Sequence, residues 1–121
     1  MGSVVDFNPS SGDQPEVEQL VEEIWVHLRC TESLSRKFIK VALEDVLTFD
    51  RKQHDYGSRN IGDFGEAGVL VRANDKMARL KNLHGVRGGE VKNEPIEDAW
   101  RDLSVYGIIA RLCRANVWPK E

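Results

Sequence analysis

The sequence predicts an all-α fold, a four-helix bundle-like domain, on three observations. Apolar residues recur at helical spacing in four separate segments. No segment alternates apolar and polar residues as a half-buried strand does. The breaks between segments carry the Gly, Pro, Asp and Asn residues that start and stop helices. The 121 residues suffice for one core, and 40% hydrophobic with 31% charged residues is a globular balance rather than a disordered or fibrous one. A formal net charge of -3 gives little support for a face that grips a nucleic-acid backbone, and no apolar run is long enough to span a bilayer. Cys30 and Cys113 have no metal-type neighbours and are expected as reduced core thiols of a cytoplasmic protein.

Residues 1–14, rich in Ser, Gly, Pro, Asp and Asn, are expected as a flexible, disordered tail, followed by a single helical domain over 15–121. Asp13 is placed to cap a first helix, with Pro15 in its first turn and Val17, Leu20, Val21, Ile24 and Leu28 as its apolar stripe. A second helix is expected from about Glu32 to His54, with Leu34, Phe38, Val41, Ala42 and Phe49 facing the core. It stops at Tyr56-Gly57, where glycine tolerates φ > 0. After a loop over 57–62, a third helix is expected near Asp63, with Glu66 at capping-box spacing. Its inner face is Val69, Leu70, Ala73, Met77 and Leu80, and it ends near His84-Gly85. A glycine-rich loop continues to Lys92. Asn93 and Pro95 open the fourth helix, whose stripe is Ile96, Ala99, Leu103, Tyr106, Ala110 and Cys113.

The charged residues fall in patterns that suggest chemistry. Asp45 lands inside the apolar stripe of the second helix, where a carboxylate is costly unless it is paired or bound to a cation. Glu94, Asp98 and Asp102 recur at i, i+4, i+8 and form one acidic row. Like charges at that spacing repel. A hard divalent cation would relieve the repulsion, and oxygen ligands suit Mg²⁺ or Mn²⁺. On this reading, replacing Asp98 or Asp102 by Asn costs the metal-free protein nothing. The competing reading is a solvated acidic face near a helix N-terminus, where acids are favoured anyway. Arg72, Asp75, Lys76 and Arg79 share a face opposite the third helix's stripe, either for phosphate binding or as a solvated run with local ion pairs. Other templates fail. Asp55 and Glu66 have the spacing of a calcium loop without its intervening ligands, and the sequence has no phosphate-binding glycine loop, serine elbow or zinc spacing.

Three segments in order carry a resemblance: Lys52-Gln-His-Asp55-Tyr56-Gly57, then Arg72-x-x-Asp75-Lys76-x-x-Arg79-Leu80, then Glu94-x-x-x-Asp98-x-x-x-Asp102-Leu103. Over about residues 45–110 the chain resembles a small α-helical family of nucleotide-modification-associated domains, first described as a domain of unknown function and common in phage genomes. That family is similar to the all-α nucleotide pyrophosphohydrolases of the MazG type, which hold Mg²⁺ on facing helices and release pyrophosphate from a nucleoside triphosphate. The resemblance implies a Mg²⁺- or Mn²⁺-dependent nucleotide-handling domain in the cytoplasm, the host's if the chain is phage-encoded. Metal would be held by Glu94, Asp98, Asp102 and Asp45. Lys52, Asp55, Tyr56, Arg72, Asp75, Lys76 and Arg79 would meet the nucleotide. The chain departs from the MazG pattern, lacking Glu-x-x-Glu on the second helix and using four-residue acidic steps on the fourth. A non-catalytic nucleotide-binding or phage-host interaction module of the same fold is therefore the alternative. Three tryptophans in so short a chain, with Trp100 at the edge of its helix's apolar face, also suggest a homo-oligomer.

Overall fold

A computed structural model describes residues 15–87 and 96–119. The protein is all-α. The described residues form α1 (Pro15–His27), α2 (Leu34–Tyr56), α3 (Arg59–Gly62), α4 (Gly65–Arg87) and α5 (Ile96–Arg114), with no strand among them. Among the described residues no helix is long and apolar enough to cross a membrane. The expected tail, Asp13, Asn93, Pro95 and the glycine-rich loop from Gly88 to Lys92 lie outside the described residues. The chain divides into two compact units, Met1–Asp50 and Arg51–Glu121.

In the first unit, charged side chains pair α1 with the first half of α2. Lys40 Nζ lies 2.8 Å from Glu18 Oε1, and Arg36 Nε lies 2.7 Å from Glu22 Oε1. The pairings 18–40 and 22–36 make the two helices antiparallel. Arg36 also sits 3.7 Å from the centroid of the Trp25 ring, a cation–π contact. The Trp25 indole N–H donates to the Glu32 carbonyl at 2.9 Å. Its hydrogen bond from Arg36 holds the Glu22 carboxyl below its ordinary range. α1 ends on Arg29 in the left-handed region (φ 58°), with the Cys30 N–H reaching back to the Trp25 carbonyl at 3.1 Å.

Val17 and Val21 are buried, but the expected core face of α2 is not buried along its length. Leu34 and Phe38 are 70% and 76% exposed, Val41 is half exposed, and burial on that face begins only at Asp45 and Thr48. The face is the one the periodicity marks. Periodicity records a stripe, however, and not what covers it. Here long charged side chains link α1 to this half of α2.

In the second unit, Gly57 (φ +71°) ends α2 as the sequence predicts, its N–H bonding the Gln53 carbonyl at 2.8 Å. The expected loop contains α3. Asp63 closes α3 rather than opening the next helix, its N–H meeting the Arg59 carbonyl at 2.9 Å. Gly65 (φ +61°) then turns the chain into α4, two residues later than the capping-box spacing suggests. α4 continues through His84-Gly85 to Arg87, because one glycine weakens a helix without ending it. α4 and α5 pack antiparallel, with Glu66 against Arg114 and Lys76 against Asp102.

The core of this unit is Ile61, Val69, Leu80, Leu83, Ala99, Val105, Ile109 and Trp118. Two expected faces are therefore rotated. Leu70 and Met77 are exposed, and Leu103, Tyr106, Ala110 and Cys113 are only half-buried. Cys30 is half-buried as well, and both cysteines are free thiols. The core side of the helix pair is the one that meets Ile61 and Trp118, and that preference is not encoded in either helix alone. Trp118 is locked from both sides. Asn116 (φ 61°) turns the chain after α5, and the Trp118 indole N–H donates to the Ser58 carbonyl at 3.0 Å. Trp118→Ala is expected to lower unfolding free energy by about 3 kcal/mol, and Trp118→Phe by less. Urea denaturation followed by circular dichroism reads both, and an unchanged midpoint for Trp118→Ala would mean the ring is not part of the core.

Candidate functional site

The side chains that the sequence singles out converge at one place within the second unit. Lys52 projects from the last turns of α2, Lys76 from the middle of α4, and Asp102 from the second turn of α5. Lys52 Nζ lies 3.1 Å from Asp102 Oδ1, and Lys76 Nζ lies 2.9 Å from Asp102 Oδ2. Each carboxylate oxygen is thus met by its own ammonium group. The Asp102 side chain is only 17% exposed, Lys76 25% and Lys52 50%, so the site opens toward solvent through Lys52.

Burial is the largest single influence on Asp102 and pushes its carboxyl up. The hydrogen bonds and charges of Lys76 and Lys52 together outweigh it and hold the group below its ordinary value. Two ammonium groups thus meet one carboxylate in a partly desolvated setting, where charge is strongly felt.

The other expected site residues are distributed differently. Asp98 stands one turn before Asp102 and is neutralised locally, its Oδ1 accepting from Arg101 Nη1 at 2.9 Å. Glu94, the third member of the acidic row, lies outside the described residues. Asp45 belongs to the first unit, where it is buried and partnered. Asp55 and Tyr56 are exposed at the end of α2, and beside them Gln53 donates through its side-chain amide to Ser58 Oγ. Arg72 is half-buried, while Asp75 and Arg79 are exposed on α4. Lys76 does not share a solvated face with them, because it turns toward α5 and Asp102. No three metal-ligand-type side chains cluster among the described residues. The oxygen donors of Asp98 and Asp102 suit Mg²⁺ or Mn²⁺ in kind, and at present they are held by cations of the chain itself.

Two features escaped the sequence. One is the Glu66–Arg114 ion pair, at 3.2 Å, which sets the far end of the α4·α5 register. The other is an apolar groove of about 390 Å³ between those helices, lined by Glu66, Leu70, Ala73, Leu103, Tyr106 and Gly107 among others. Both are long-range pairings, and the only hint was that these residues recur at helical spacing. No family model, curated protein or solved structure matches the chain.

The triad corrects one expectation. Asp102 is not one of a set of mutually repelling acids, since two lysines neutralise it. Asp102→Asn would remove the charge that Lys52 and Lys76 meet, and is expected to cost about 1–2 kcal/mol at pH 7, between an exposed and a fully buried pair. The sign with pH follows from the lowered carboxyl. Its contribution is complete above the unfolded-state value, about 3.9, and is lost as pH falls through the still lower folded value. The stability gap between the native protein and Asp102→Asn should therefore be constant from neutral pH to about pH 5 and close in stronger acid. A gap that stays constant into strong acid would show that the charge of Asp102 is not what matters.

Proposed function

We propose that the chain handles a nucleoside polyphosphate as its Mg²⁺ or Mn²⁺ complex, and that it is a nucleoside triphosphate pyrophosphohydrolase similar to the MazG type. The observation that supports this reading is the meeting of Lys52 and Lys76 on Asp102, which joins two residues expected at the phosphates to one expected at the metal. A polyphosphate offers the two ammonium groups more negative charge than one carboxylate does, and so competes for them. As the lysines move to phosphate, Asp102 is released beside the same phosphates. Asp102 and Asp98, with Glu94, would then hold the metal, which when bound neutralises phosphate charge and activates water. In the hydrolysis, water oxygen bonds to the α-phosphorus, the bond from that phosphorus to the bridging oxygen breaks, and the water's proton is released to solvent. Pyrophosphate leaves, and Lys52 and Lys76 offset the charge it carries.

A non-catalytic nucleotide-binding module is the second reading. The occupation of both Asp102 oxygens by lysines, and of Asp98 by Arg101, favours it. In that case the cations bind phosphate and the acids serve to place them.

Calorimetric titration with each common nucleoside triphosphate in millimolar Mg²⁺, beside a pyrophosphate-release assay, separates the two. At least one nucleotide is expected to bind, and Lys76→Gln to weaken it about tenfold or more, equivalent to about 1.4 kcal/mol. Bound nucleotide at a hundredfold excess over its dissociation constant is expected to add about 2.7 kcal/mol of stability. Binding with no pyrophosphate released supports the non-catalytic module. Neither binding heat nor a shift in melting temperature with any nucleotide overturns both readings.

A further inference from the structure

We propose that the outer face of the α4·α5 pair docks a second copy of this chain, across a two-fold axis that lies in the interface plane, perpendicular to the helices, near Ala73 and Gly107. The docking surface is separate from the nucleotide reading and does not depend on it.

The surface is apolar where solvent should favour polar groups. Leu70 is 69% exposed, Trp100 51% and Met77 38%. All three border the groove side of the pair, on the stripes 66, 70, 73, 77 of α4 and 100, 103, 107, 110, 114 of α5, at successive helical turns. Leu70, Ala73, Met77, Leu103 and Ala110 belong to stripes that the sequence marks as inward-facing, and among the described residues Leu70 and Met77 remain exposed. At 23 and 19 residues the helices are about 34 and 28 Å long. Two helices side by side therefore present a footprint of about 30 by 20 Å, and with side-chain relief this approaches the ~800 Å² per partner of a standard interface.

Gly107 is the second observation. It sits in the interior of α5, where glycine costs about 1 kcal/mol against alanine. A Cβ added there would meet nothing within 4 Å. Among the described residues no contact requires the missing side chain, and a close approach of a second backbone at this position would account for it.

The third observation identifies the occupant through charge complementarity. The two-fold axis lays α4 antiparallel on its copy and α5 antiparallel on its copy. With the axis between residues 73 and 74 on α4 and at 107 on α5, one operation produces matched pairs. Glu66 meets Lys81 of the second copy, an exposed base opposite an acid. Leu70 meets Met77, apolar on apolar. Trp100 meets Arg114, whose guanidinium is 72% exposed and suited to stacking on an indole face. Gly107 meets Gly107 on the axis, where the backbones must come closest. A self-complementary set of this kind is the signature of an isologous contact.

The test uses the full chain. Light scattering and sedimentation at micromolar concentration are expected to give a dimer. Gly107→Gln, which projects into open space within its own chain, is expected to weaken the dimer at least tenfold while helicity is kept or raised. In a Cys30→Ser, Cys113→Ser background, Gly107→Cys is expected to form a disulfide-linked dimer under mild oxidation, since only this axis brings residue 107 onto its own copy. A native chain that is monomeric under these conditions overturns the proposal. So does a dimer unaffected by Gly107→Gln, or one in which Gly107→Cys crosslinks no better than an exposed cysteine placed on α1.

Discussion

A carboxylate with limited access to water must have its charge answered, and Asp102 draws that answer from two other helices. Lys52 reaches it from the end of α2 and Lys76 from the middle of α4, one to each oxygen. The apolar core of the second unit could tolerate small sliding of one helix on another, since hydrophobic contact is not directional. Two charge-assisted hydrogen bonds at about 3 Å tolerate far less. The triad therefore fixes the register of α4 on α5, and the Glu66–Arg114 pair repeats the constraint at the other end. The core side, the outer groove and the positions of the candidate site residues all follow from that register.

The proposed site and the proposed docking surface belong to different faces of one helix pair, and Val69 lines the groove while belonging to the core. Where the pair packs with Ile61 and Trp118, apolar side chains are buried, and Lys76 and Asp102 meet in a partly desolvated setting. On another face, the same two helices leave Leu70, Met77 and Trp100 uncovered around a groove. A chain of this size has too little interior to use every apolar stripe it carries.

Local signals in the sequence located some helix ends and missed others, such as the end of α4. Gly57 ends α2 and Pro15 opens α1 because those positions are decided by backbone conformation, which belongs to one or two residues. Which side of a helix becomes core was less legible. Leu34, Phe38 and Val41 mark a stripe that stays exposed, and on α5 Val105 and Ile109 are buried ahead of Leu103 and Tyr106. That choice depends on partners far away in sequence. The candidate site divides in the same manner. Lys52, Lys76 and Asp102 could each be singled out by type and spacing, but not their meeting across fifty residues of chain. Asp102 consequently read as one of three repelling acids rather than as the centre of two ion pairs.

The triad also gives the fold a dependence on heat that its apolar core lacks. The cost of withdrawing charges from water falls as temperature rises, because their hydration becomes entropically less favourable, while the stabilisation per unit of buried apolar area levels off. On warming, a growing share of what registers α4 on α5 therefore comes from Lys52, Asp102 and Lys76, and a shrinking share from the valines and isoleucines around them. Fraying should accordingly begin at helix ends remote from the triad, with the middle of the pair among the last parts to separate.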